Sequence, residues 1–208
     1  PFNIPDFKKQ VKKTLRWASK NGVEYVIWGE NKAYCDHSVQ ELVKEYGGEI
    51  EKTYNSFKYP IQKVDFAKYL ILYKHGGMYL DCDIAPCSKN VKNLFNENQF
   101  FVCWNTDKKK LPYNAVMGSR RANNPIYEHI IQHVIESDKE KRKTLPESWV
   151  GRFVFHTTGH FMLRRVLKKH AIVPLDILNV ENKAKGIKSS PENPMFTDCN
   201  TSTWFFTE

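Results

Sequence analysis

The sequence predicts an α/β fold: a mixed sheet of about six short strands flanked by helices. Three observations carry that expectation. Apolar runs of strand length alternate with longer stretches whose apolar residues recur at helical spacing. Two of the helical stretches end in a glycine pair, Gly47-Gly48 and Gly76-Gly77, and the second pair feeds straight into an apolar run. The composition, 41% hydrophobic and 26% charged over 208 residues, is that of a chain able to bury a core within one domain.

In chain order, "VEYVIW" (Val23–Trp28) reads as a strand. "SVQELVKEYGG" follows as a helix, with Ser38 and Glu41 spaced as a capping box and Gly47 as a left-handed stop. "GEIEKTY" (Gly48–Tyr54) is expected to return as a strand. "KVDFAKYLILYKHGG" is a helix stopped by glycines, and "MYLDCD" extends from it as a strand. "QFFVCW" (Gln99–Trp104) and "NAVMGS" (Asn114–Ser119) are strands. Asn124 caps the next helix and Pro125 takes its first position. Thr158 is placed as the cap of a further helix, with basic residues near its C-terminal end. "AIVPLDILNV" and "CNTSTWFF" read as short strands and loops. No internal repeat or linker interrupts the chain, so residues 1–208 are expected to form one domain. The leading Pro1, in place of Met, suggests a fragment of a longer chain.

Composition narrows the functional classes. No run approaches the roughly 18 to 20 uncharged apolar residues of a membrane span, and the N-terminus lacks a signal peptide's apolar segment. A soluble, cytoplasmic protein is expected. The five cysteines show neither CxxC nor Cys/His zinc spacing, which favours reduced thiols. The net charge of +9 fits a solvated surface or an anionic partner: nucleic acid, an acidic membrane surface or a phosphorylated small molecule. Its basic residues are dispersed, with acids between several groups and no aromatic-basic recognition motif, so nucleic acid is not expected.

Asp81 and Asp83 stand directly behind the apolar run Met78-Tyr79-Leu80. If the strand continues through them they point to one side, at the carboxyl end where ligands of α/β sheets collect. Two acids there repel unless a cation sits near them, and Mg²⁺ or Mn²⁺ suits such oxygens. The alternative is structural: Asp83 caps a turn before Pro86 while Asp81 makes a hydrogen bond. On the preceding helix Asp65 and Lys68 share a face. They serve either as an acid for ligand hydroxyls and a base for phosphate, or as an ordinary exposed ion pair.

"VDFAKYLILYKHGGMYLDCDI" closely resembles the signature of the DXD sugar-binding glycosyltransferases, a group with initiating mannosyltransferases, capsular polysaccharide transferases and clostridial glucosylating toxins. Asp65, Tyr69, Leu72, Tyr73, Gly76, Gly77, Tyr79, Asp81 and Asp83 match in register. Val64 stands where Ser is usual, and Lys68 replaces Arg, exchanging a bidentate fork for a point charge and leaving donor preference open. "NAVMGSRRANNPIYEHII" is similar to the family's Asn-containing strand and helix. "TTGHFMLRRVL" is similar to its T-G-P segment with His160 for Pro, and "NTSTW" resembles the toxins' closing segment. The family's usual opening strand has no counterpart before "PFNIPDF", and Trp28 resembles a later family position, with Gly29 where an acid is common. The Lys-rich, compact chain is also similar to a capsid-glycan glycosyltransferase domain of chlorella viruses.

The resemblance implies a GT-A-like, Rossmann-type mixed sheet and a nucleoside-diphosphate sugar donor, UDP-linked by default. It also implies Mn²⁺ or Mg²⁺, a glycan or glycoprotein acceptor, and transfer with retention. Carried over, Asp83, Asp81 and Ser202 hold the metal. Asp65, Lys68, Asp81, Asn200 and Trp204 bind the donor, the last two at its phosphates. Asp198 joins Asp81 and Asp83 as the local candidate for an assisting acid or base. Two competing readings stand beside this one. In a haloacid-dehalogenase-type phosphotransferase, Asp81 is the nucleophile and Asp83 the general acid, but the acidic pair such enzymes need later in the chain is missing. The other is a non-catalytic basic module for glycan or nucleic acid on the same fold.

Overall fold

The computed structural model describes residues 5–30, 35–104, 111–146, 149–182, 187–189, 191–192 and 194–198. These residues form two compact units, one from residues up to Tyr25, Met78–Arg120 and from Pro174 onward, the other from Val26–Gly77 and Arg121–Val173.

The first unit holds the strands. Its elements are α1 (Pro5–Lys20), β1 (Gly77–Leu80), β2 (Ile84–Pro86), a 3₁₀ turn (Lys89–Lys92) running into α5 (Asn93–Glu97), β3 (Phe100–Trp104), β4 (Pro112–Ser119), β5 (Leu178–Asn182), β6 (Ile187–Ser189) and β7 (Phe196–Asp198). The strands fall into two sheets, ordered β1-β4-β3 and β2-β7-β5-β6. The second is mixed: β7 is antiparallel to β2 and parallel to β5, while β5 and β6 are antiparallel. The α/β class holds, with seven short strands among the described residues shared between two sheets.

The core of this unit gathers Ile84, Leu94, Phe101, Ala115, Val116, Leu178 and Phe196, with Trp17 of α1 and Met78 and Leu80 of β1 packed against it. Each fully buried large side chain contributes about 1.5–3 kcal/mol. β4 is buried almost throughout instead of alternating, as expected of a strand covered on both faces. Phe101 faces Gly118 across the β3–β4 ladder. A Cβ at 118 would lie 2.1 Å from the Phe101 ring, so the ring occupies the space that glycine leaves.

The second unit is helical: α2 (Val39–Tyr46), α3 (Gly48–Ser56), α4 (Pro60–His75), α6 (Pro125–Thr144), α7 (Val150–Thr157) and α8 (His160–Lys169). Two caps form as the sequence predicts. The Ser38 hydroxyl accepts from the Glu41 N–H at 3.2 Å, and the Asn124 side chain accepts from the Ile126 N–H at 3.0 Å. α4 is the central helix, with every residue from Asp65 to Leu72 buried. It stops at Gly76, whose φ of 67° lies in the left-handed region and whose N–H donates to the Leu72 carbonyl. A Cβ there would come within 2.7 Å of the Arg121 backbone, so the first glycine of the pair is demanded by conformation and by space.

Three expected local structures differ. Residues 23–28 make no ladder. Trp28 forms a single bridge with His37, Tyr25 and Val26 are about half exposed, and the Ile27 N–H donates to the Asp36 carboxylate. Residues 48–54 are the start of α3. Gly47 and Gly48, both at positive φ, turn the chain, and Glu49 and Glu51 suit a helix N-terminus. Gly159, not Thr158, caps α8, because the Thr158 hydroxyl is committed elsewhere. The sequence predicts no helix at α1, α5 or α7. In α7 the apolar contacts occupy only two turns, too short a window for periodicity to show.

Candidate active site

The two acids of the DXD motif sit at the junction of the two sheets. β1 ends at Leu80, and the Asp81 N–H donates to the Ala115 carbonyl of β4 at 2.9 Å, tying Asp81 to the first sheet. The Ile84 N–H then donates to the Asp81 carbonyl at 2.9 Å, closing a β-turn over residues 81–84. Ile84 opens β2 in the second sheet. The strand therefore does not continue through the motif, as the sequence suggested. A turn pinned at both ends presents Asp81 and Asp83, each half-buried, with Cys82 exposed between them.

β7 adds the third carboxylate. The β2–β7 register pairs Ile84 with Asp198, so Asp198 enters across the ladder from the residue that follows Asp83. It is 3% exposed. Tyr113, at the start of β4, senses all three acids. Burial raises its phenol well above the usual range, and the charges of Asp198, Asp81 and Asp83, in that order, raise it further. The buried Cys103 thiol on β3 is pushed up by the same causes, burial first and Asp198 next. Both groups stay protonated, so the negative charge here belongs to the carboxylates.

This donor set suits a hard divalent cation, which prefers carboxylate oxygens and completes its shell with water and phosphate. Among the described residues no three His, Cys, Asp or Glu side chains close on one point. Asp81 and Asp83 present two such carboxylates on one turn. Asn200, Ser202 and Trp204 lie outside the described residues.

Asp65 and Lys68 belong to the helical unit. Their charges meet at 3.2 Å, and Lys68 is 2% exposed, so this is a buried ion pair and not the exposed one that spacing alone allowed. The Thr158 hydroxyl donates to the other Asp65 oxygen at 3.1 Å. The Tyr69 hydroxyl donates to the Thr158 carbonyl at 2.8 Å, and the Gln62 amide to the Thr157 hydroxyl at 2.9 Å. The "TTGH" segment is thereby bolted to α4 through the residues that mark the motif. Burial, and then the Lys68 charge, push the His160 imidazole down to about 4, so it is neutral at physiological pH. Sequence reasoning matched this segment by resemblance. It missed Tyr113 and the partnership of Thr158 with Asp65, because nothing local to either residue signals a contact so distant in sequence.

Residues 5–101 match the family model for the glycosyltransferase sugar-binding region containing DXD motif. An uncharacterized glycosyltransferase of Acanthamoeba polyphaga mimivirus is 30% identical over 122 residues, 58% of this chain and 48% of the relative. Inositol phosphoceramide mannosyltransferase 1 of Schizosaccharomyces pombe is 31% identical over 83 residues, 40% of this chain and 24% of the relative. A mannosyl phosphorylinositol ceramide synthase of Saccharomyces cerevisiae is 35% identical over 99 residues, 46% and 22% of the two chains. The matched segments thus span half or less of these relatives. The Asp81-Cys82-Asp83 turn lies inside the matched segment, so residues 5–101 are similar to the glycosyltransferase sugar-binding regions that contain the DXD motif.

Proposed function

We propose that the chain is a metal-dependent glycosyltransferase that moves a hexosyl group from a nucleoside-diphosphate sugar to a glycan acceptor with retention of anomeric configuration. The observation that carries this reading is the pinned turn of Asp81 and Asp83 with Asp198 beside it across the β2–β7 ladder. Asp83 and Asp81 would hold Mn²⁺ or Mg²⁺, with Ser202 as a further ligand. When bound, such a cation supplies charge that stabilises a departing nucleoside diphosphate. Tyr113 retains its proton and so adds a hydrogen-bond donor instead of a fourth negative charge. Asp198 is the acid or base closest in register to the motif. Asp65 and Lys68, held on each other and on Thr158, act as positioning residues for α4, the helix that delivers the chain into β1. UDP is the first nucleotide to try. GDP follows, together with mannosyl donors, since two relatives are named as an inositol phosphoceramide mannosyltransferase and a mannosyl phosphorylinositol ceramide synthase.

The test is calorimetric titration of UDP and GDP into the chain with and without Mn²⁺, on wild type and Asp83→Ala, followed by a panel of nucleotide sugars scored for sugar release. Metal-dependent binding that Asp83→Ala abolishes is the expected result. Binding indifferent to both metal and mutation, or none to either nucleotide, refutes the assignment.

A further inference from the structure

The helical unit carries an exposed apolar patch ringed by cations. Trp149 is 52% exposed and Val150 38%, at the N-terminal end of α7. Contacts place these residues at one end of the unit. Tyr59 meets Phe153 with ring centroids 6.3 Å apart, Gln62 reaches Thr157, and Asp65 reaches Thr158. Contact therefore advances along α4 and α7 in the same direction, so their N-termini lie together. The C-terminal end of α6 arrives at the same place, since Arg142 donates to the Ser56 carbonyl at 2.7 Å.

The chemistry of this end is one-sided. Segments 56–64 and 141–152 contain Lys58, Lys63, Lys141, Arg142, Lys143 and Arg152, against Glu147 and the two acids just ahead of the second segment, Asp138 and Glu140. Arg142 is held by Asp138 and Lys141 by Glu140, whereas Lys143 and Arg152 are exposed. Two aromatic rings, the exposed Trp149 and the partly buried Tyr59, carry a cation over the face, Arg152 at 5.4 Å over Trp149 and Lys58 at 5.7 Å over Tyr59. Tryptophan with its apolar neighbours favours the boundary between headgroups and acyl chains, and clustered Lys and Arg favour anionic headgroups. Neither feature binds strongly alone, but stable peripheral attachment takes two such signals together.

We propose that this end of the helical unit docks on the surface of an anionic bilayer, with Trp149 and Val150 entering the interface and Lys143 and Arg152 facing lipid phosphates. Among the described residues no helix is long and apolar enough to cross a membrane, so the contact is peripheral. By contrast α1, equally basic, packs on β2 and sends Trp17 to the core, and it provides the control surface.

The test is co-sedimentation of the full chain with phosphatidylcholine vesicles, with and without phosphatidylserine, over a salt series. The expected result is binding only to anionic vesicles, weakened by salt. Trp149→Ser should lower partitioning about fivefold, and Lys143→Glu with Arg152→Glu about tenfold or more. Lys12→Glu with Lys13→Glu, the same charge change on α1, should leave it within about twofold. Equal binding to neutral vesicles, no binding, or loss caused by the α1 pair as large as that of the patch pair overturns the proposal. So does tighter, patch-dependent binding to single-stranded RNA. The readout is vesicle binding and does not depend on the nucleotide-sugar assignment.

Discussion

Removing one partner of the buried pair on α4 should be far more damaging than removing both. In Asp65→Ala the Lys68 ammonium, 2% exposed, loses the carboxylate 3.2 Å away, and the Thr158 hydroxyl loses its acceptor at 3.1 Å. Breaking a buried pair in this way costs about 3–5 kcal/mol, because a charge stays behind in a medium that solvates it poorly. The double variant Asp65→Leu/Lys68→Met removes both charges and fills their volume with apolar atoms. Its cost is then mainly the lost Thr158–Asp65 hydrogen bond, about 1 kcal/mol, since the hydroxyl keeps the Val154 carbonyl at 3.5 Å. Equilibrium urea unfolding at pH 7, followed by far-ultraviolet circular dichroism, measures each variant. The cycle should show the double variant more stable than Asp65→Ala by about 2 kcal/mol. A loss below about 1 kcal/mol in Asp65→Ala, or a double variant no better than that single one, would show that burial of the pair has been misjudged.

Acid should weaken the helical unit through His160. Its imidazole is depressed to about 4 in the folded chain, first by burial and then by Lys68, against an ordinary 6.5. Between those values the unfolded chain binds a proton that the native one refuses. The stabilisation is therefore complete above pH 6.5, falls by about 3 kcal/mol as pH drops to 4, and is flat below; unfolding of His160→Phe across that window should lose most of this slope. In the strand unit, Gly118→Ala drives a methyl into the Phe101 ring and should cost about 1–3 kcal/mol, with part of the loss recovered by Phe101→Leu, as read from thermal melts. Asp198→Asn should lower the Tyr113 phenol pKa more than Asp81→Asn does, since Asp198 is the larger of the two charge effects on it. Isotope-labelled tyrosine titrated by NMR reports that order, and the reverse order would count against the placement of β7 beside the motif.

What could be read directly was whatever is encoded over a few consecutive residues. Ser38, Asn124 and Pro125 act on backbone groups within a turn of themselves, so their helices start where the sequence predicts. The motif from Asp65 to Asp83 was legible because a buried helix, a glycine stop and a turn of acids follow one another without interruption. The α/β class followed from the same alternation. Beyond that, partners distant in the chain decide. Residues 23–28 have strand-forming side chains but, among the described residues, pair only through the single Trp28–His37 bridge, and 48–54 become helix because Gly47 and Gly48 turn the backbone ahead of them. Spacing put Asp65 and Lys68 on one face, but only α7 and the Thr158 hydroxyl made that face an interior one. The sequence names Asp198 as a candidate acid or base but does not say what it stands beside. Asp198 gains its place from the ladder that sets it opposite Ile84. The sequence by itself determined the chemistry of the site, since residue types and short-range conformation are local properties. Tertiary structure alone decided which charges are buried, which are paired and which acids share a site, because burial and Coulomb energy depend on distances in space that the order of residues does not specify.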